Sequence, residues 1–263
     1  MRRALIICKK EVKEVFRSRY MLSTFLMPVI LFGVIIPTVL TFLPSSSLGN
    51  GQTNFPPGFE NILPEYVKTD QQRLVYFMSF FFIGPILLMV PFMTPTFIAA
   101  DSFAGERERK TIEPLLATPL SDMELFLGKV LTAFVPSIIV SFLTYTVATF
   151  ILGVISIRVF GFIIFPDLAY LLMMTMVAPL ATILSIGFMV LISARVPNVR
   201  DASQFGGVLV LPVILLLFSQ IFNLFMINLS AVFAVALIFG LIDALLIRAG
   251  SSSFGREKIL TEL

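Results

Sequence analysis

The sequence predicts an all-α polytopic membrane protein: six transmembrane helices, an amphipathic interfacial helix ahead of them, and both termini cytoplasmic. Three observations lead there. Of the 263 residues, 57% are hydrophobic and only 13% charged, with a mean hydropathy of +0.98, an apolar share well above that of soluble domains. The apolar residues fall in blocks long enough to cross a hydrocarbon core of about 30 Å. The basic residues gather on alternate connections, as membrane-spanning chains arrange them.

The blocks are 21–43, 74–100, 130–157, 168–193, 206–222 and 230–247. The first four reach spanning length, for which about 20 residues suffice. The last two are shorter and are separated only by the polar turn 223–229. Two full spans, or one hairpin that dips in and returns, both leave the C-terminus on the same side. Sixteen of the nineteen basic residues lie before the first block, after the second and fourth, or in the tail. Lys68, Arg73 and Arg158 are the exceptions. Both termini are therefore expected inside, with residues 1–263 forming a single transmembrane domain.

Ahead of the first span, Leu5, Cys8, Val12, Val15 and Phe16 recur at helical spacing, with Lys9, Lys10, Lys13 and Arg17 on the other face. This predicts an interfacial helix over 1–20; a simple basic anchor is the competing reading. A cleavable signal does not fit so long a charged region. The outside loop 44–73 is rich in Ser, Gly, Pro and Asn and too short for a core of its own. Within it, 59–67 has the pattern of a turn or two resting on the membrane. The Asn228-Leu229-Ser230 glycosylation pattern lies in a tight turn at the membrane and is read as chance.

Histidine and tryptophan are absent, and Cys8 is the only cysteine. That removes Ser-His triads, His-based general bases, His-type zinc sites and internal disulfides. The chain also lacks the glycine spacing of a phosphate-binding loop ahead of Gly128-Lys129, so it is not expected to hydrolyse ATP itself. No catalytic, cofactor-binding or metal-ligating residue is predicted, and no nucleic-acid contact.

The connection 101–129 carries ten charged residues between two apolar spans. Gly105 is expected to end or bend the second-span helix, and Glu106, Arg107, Glu108, Arg109 and Lys110 then alternate in sign. Thr111 can cap a short helix with Glu113 and Pro114 in its first turn, which stops before Pro119. Ser121 and Glu124 form a capping-box pattern ahead of the third span. A purely solvated loop has no need of Ile112, Leu115 and Leu116, whereas a docking element uses such residues as the buried centre of a small interface.

The run 103–121 (FAGERERKTIEPLLATPLS), with Glu124 and Gly128-Lys129 after it, resembles the loop between the second and third helices of type-2 ABC exporter permeases. Within these it is most similar to the NatB-like, sodium-efflux branch. Lys10-Glu11, Arg17-Ser18-Arg19 and the tail from Phe254 through Leu260 are similar to the ends of that branch. Its better-known members often carry a larger outside domain than the roughly thirty residues here. The resemblance implies a coupling helix over 112–118 seated in a groove of a separate ABC ATPase subunit. Glu106, Arg107, Glu108 and Arg109 would flank that helix, and Ile112, Glu113, Leu115, Leu116 and Thr118 would lie on it. ATP and Mg would bind on the ATPase. A second permease copy, or a related permease, would complete the transport path in the plasma membrane of a prokaryote. The alternative function is an ion-coupled secondary transporter working without an ATPase.

Asp243 is the single acid within a span, and intramembrane acids are candidates for ion or proton handling. It is placed near Arg248, so pairing or snorkelling is the bland reading. Gln220 and Asn223, with Ser219 and Asn228, line either an exit gate or a backbone-satisfying turn. Ser137, Ser141, Thr144, Tyr145 and Thr149 along the third span are read as interhelical glue. Prolines at 28, 37, 85, 91, 95, 136, 179 and 212 predict kinks, above all in the second span.

Overall fold

The computed structural model describes residues 19–47, 55, 59–108, 122–193, 196, 198–221 and 229–253. Among these every regular element is helical. Six helical stretches are long and apolar enough to cross a membrane: Leu22–Thr41, Asp70–Ser102, Leu127–Phe160, Leu168–Ser193, Val199–Ser219 and Leu229–Arg248. The fifth and sixth have 21 and 20 residues, enough for full crossings. The expected amphipathic helix over 1–20 lies almost wholly outside the described residues.

The first span joins α1 (Arg19–Pro28), a π segment (Val29–Ile35) and α2 (Ile36–Ser47). The second runs through α3 (Asp70–Phe77), a π segment (Met78–Ile83), α4 (Gly84–Leu87) and α5 (Met89–Glu108). The third is the unbroken α6 (Asp122–Phe160), whose 39 residues span about 58 Å, nearly twice the thickness of a hydrocarbon core. The fourth joins α7 (Leu168–Leu172), a π segment (Met173–Val177) and α8 (Ala178–Ser193). The fifth joins α9 (Val199–Gly206), a 3₁₀ turn (Gly207–Val210) and α10 (Leu211–Ile221). The sixth is α11 (Leu229–Ser253).

Each π segment ends two residues before a proline: Ile35 before Pro37, Ile83 before Pro85, Val177 before Pro179. Proline offers no N–H to the carbonyl four residues back, and its ring crowds that carbonyl. Widening the preceding turn to the i→i+5 pattern relieves both problems without breaking the helix. Pro95 and Pro136 sit within α-helix instead. The second span is the most interrupted, as its prolines predict, with a further turn at Leu88 whose N–H reaches Pro85 O at 3.0 Å.

The centre of the bundle is α5 and α8, which pack on each other and on α6, α9 and α11. Small residues allow this: Ala99, Ala100, Ala104, Ala133, Ala178 and Ala181 are all buried. Large apolar side chains face outward instead, among them Phe150, Leu215 and Met27 at 73%, 67% and 65% exposure. In water that surface would aggregate; in a bilayer it is solvated.

At the upper end of the bundle, where α3 begins and α6 ends, the loop packs by aromatic contact. Phe59 is 1% exposed, stacks on Phe55 with centroids 4.9 Å apart and meets Phe77 and Phe81 edge-on. It belongs to a 3₁₀ turn, Phe59–Ile62, within the stretch expected to rest on the membrane. Thr69 and Gln72 form a reciprocal capping box that starts α3, and Asp167 caps α7 by accepting from Tyr170 N at 2.9 Å.

Candidate functional site

The lower end of the bundle holds the roots of the connection 109–121. The first root is the last turn of α5. Its helix does not end or bend at Gly105 as the sequence predicted, but runs on to Glu108. Gly105 is there to let another helix close in: a Cβ on it would stand 3.3 Å from Val199 Cγ2 and 3.0 Å from Asp101 Oδ1. Further up the same contact, a Cβ on Gly206 would stand 2.0 Å from Thr96 Cγ2. The start of α9 therefore lies against the end of α5, and its far end against Thr96, so the two helices run antiparallel at close range.

Glu108 completes this contact. Its Oε2 accepts from the backbone N–H of Val199 at 3.0 Å. Val199 is the first residue of α9, and Asn198 at the capping position makes no side-chain cap. The first N–H groups of a helix lack intrahelical partners and carry partial positive charge. A carboxylate from a different span supplies what the local sequence does not.

The second root is the beginning of α6. Lys129 is 1% exposed, and its Nζ donates to Ser102 O of α5 at 2.8 Å. Residues 109–121 are thus bracketed by two tethers, one joining the second span to the fifth and the other joining the third to the second. Neither tether was predicted. Lys129 reads in sequence as one more basic residue at a membrane edge, and the partner of Glu108 is 91 residues away.

Of the predicted coupling residues, Glu106 and Arg107 fall in the last turn of α5, and Glu108 ends it. Arg109, Ile112, Glu113, Leu115, Leu116 and Thr118 lie outside the described residues, as do the Thr111 cap and Ser121 of the proposed capping box. Gln220 lies in α10, and Asn223 is outside the described residues.

Asp243 departs from its bland reading. It lies five residues before Arg248, where the sixth apolar span ends, and the helix itself runs on to Ser253. The residue is 4% exposed, and neither carboxylate oxygen has a hydrogen-bond partner among the described residues. Arg248 is exposed; five residues along a helix is a turn of about 140° beyond one revolution, so the two side chains leave opposite sides of α11. In the third span, Tyr145 O accepts from Tyr170 OH at 3.2 Å and Thr149 Oγ1 lies 3.3 Å from the same hydroxyl, which is interhelical glue as expected. The hydroxyls of Ser137 and Ser141 are buried without such partners among the described residues.

Six apolar helices with small residues at their crossings and large ones facing outward define a multi-pass membrane protein. Residues 5–252 match the model of the ABC-2 family of transporter proteins. The chain belongs to that family and is the membrane component, the permease, of an ABC transporter. No curated protein matches it.

Proposed function

We propose that the chain is the membrane-spanning subunit of an ATP-driven exporter, worked by a separate ATPase that docks on residues 109–121. The observation that carries this reading is the pair of tethers at the roots of that connection. A surface loop needs no such anchorage. A loop that transmits force does, because displacement of 109–121 must reach the spans before it dissipates. Through Glu108 it reaches the fifth span, and through Lys129 the second and third move together.

In this reading the lower end of the bundle is cytoplasmic and both termini lie inside a prokaryotic plasma membrane, in keeping with the distribution of basic residues. Two permease copies, or this chain and a related one, flank the path. ATP and Mg bind on the ATPase, and closure of two ATPases presses on 112–118 and shifts the permeases between inward-open and outward-open states. The sequence of 103–121 favours the sodium-efflux branch. Family membership weighs against a stand-alone ion-coupled carrier.

The test is replacement of Leu115 and Leu116 by Asp, which puts charge at the centre of the docking surface. The expected result is loss of the co-purifying ATPase from a permease that still inserts and stays monodisperse in mild detergent. An ATPase that still co-purifies would overturn the docking assignment.

A further inference from the structure

We propose that Asp243 is a proton-binding site occluded inside the membrane, closed above and below by contacts of the same helix. Phe239, one turn above on the same face of α11, meets the ring of Phe92 edge-on at 5.7 Å and 82°. Leu246, one turn below, packs so closely on α8 that a Cβ on Gly187 would lie 3.0 Å from its own Cβ. Between these two plugs the carboxyl is 4% exposed and neither oxygen has a partner among the described residues.

Among the described residues no charge on the surrounding elements compensates it. α11 packs on α7, the π segment Met173–Val177 and α8. α8 contains no titratable residue. Tyr170 is the single such residue of α7 and the π segment, and its hydroxyl donates to Tyr145 O. α10, which shares an apolar cleft with Ala231, Val232 and Val235 through Leu216, also contains none. On α5 the titratable residues begin at Asp101, nine positions below Phe92. Since Asp243 is four positions below Phe239, Asp101 lies about 7 Å lower along the axis, and it is an acid rather than a counter-charge. Arg248, the nearest charge on α11 itself, projects from the other side of the helix.

A carboxylate cut off from water and from any counter-charge is far more costly than the neutral acid. A proton settles that cost with one ligand. An alkali cation needs several oxygens, and the hydroxyl of Ser185 on α8 is already directed to Phe92 O at 3.0 Å. For the proton to leave, Leu246 must part from Gly187 or Phe239 from Phe92. Proton binding is therefore linked to the packing of α11 on α8, with the protonated form favouring the closed state.

Infrared spectroscopy of the full-length chain in liposomes, labelled with carboxyl-¹³C aspartate and without ATPase, tests this. The chain has six aspartates, so the Asp243→Asn variant assigns any label-sensitive band to one of them. The expected result is a protonated-carboxyl stretch at neutral pH that shifts with the label, is lost in Asp243→Asn and fades at alkaline pH. Absence of a label-sensitive acid band from the native chain would overturn the proposal, whether or not the variant folds. Persistence of the band in Asp243→Asn would overturn it too, and its loss on adding sodium at fixed pH would replace the proton by a metal cation. Because no ATPase is present, none of these outcomes bears on the docking of 109–121.

Discussion

The carboxylate of Glu108 and the backbone N–H of Val199 are joined by a 3.0 Å hydrogen bond across 91 residues of sequence. The contact fixes the last residue before the connection 109–121 to the first turn of another span. An exposed charge at a helix N-terminus contributes little to global stability, typically about 0.3–1 kcal/mol. Under the docking proposal its consequence is mechanical: force on the connection is expected to reach α9 as well as α5.

Removing the carboxylate is therefore expected to separate docking from transport. In Glu108→Ala the ATPase should still co-purify, while substrate moved per ATP hydrolysed falls about fivefold, the equivalent of one hydrogen bond's net contribution of about 1 kcal/mol. Glu108→Gln keeps an oxygen acceptor and should fall between Ala and the native chain. Equal transport per ATP in all three would show that this contact does not transmit.

Lys129 makes the complementary prediction. Replacement by Met keeps most of its apolar stem and removes the donor to Ser102 O. The lower turns of α5 should then open more often, with amide exchange over 102–108 faster by about tenfold for a loss of roughly 1.4 kcal/mol. Exchange elsewhere in α5 should be unchanged. A uniform increase would point to global destabilisation instead.

Gly206 offers a packing test with a built-in rescue. A Cβ there would stand 2.0 Å from Thr96 Cγ2, while the next atoms, Thr96 Cβ and Met189 Sδ, are at 3.3 and 3.6 Å. Gly206→Ala should lower stability by about 1–3 kcal/mol through overpacking. Thr96→Ser deletes the offending methyl yet keeps the hydroxyl that donates to Phe92 O at 2.7 Å. The double variant should recover most of the loss, a non-additivity measured by thermal unfolding in detergent.

These residues also mark where the sequence was readable and where it was not. Membrane class and span positions follow from the composition of contiguous blocks, because each helix must present apolar side chains to lipid whatever its partners. Composition alone starts the fifth span at Gly206, whereas α9 begins at Val199 and carries Arg200, Asp201 and Gln204. Those polar residues hide the amphipathic turn that packs on α5. Gly105 reads as a place for the helix to end or bend, because a lone sequence shows flexibility but not the Val199 side chain that glycine makes room for. Lys129 and Glu108 act through partners on other spans, and such long-range pairings leave no periodicity to find. Prolines were legible as perturbations, but not which of them would widen the helix.

That last distinction can be tested at Pro179. The π segment Met173–Val177 lies between two anchors: Tyr170 OH on Tyr145 O at 3.2 Å above, and Ser185 Oγ on Phe92 O at 3.0 Å below. A π turn accommodates one residue more than the α-helix it interrupts. Deleting Thr175, an exposed residue of that segment, together with Pro179→Ala should give a continuous α-helix with both anchors still in register. Deleting one residue within α8 instead should turn everything beyond the deletion by about 100°, carrying one anchor off its partner. The first variant is expected to insert and retain near-native thermal stability, and the second to be lost or strongly destabilised. Equal damage from both deletions would mean that the π segment is not a one-residue insertion imposed by the proline.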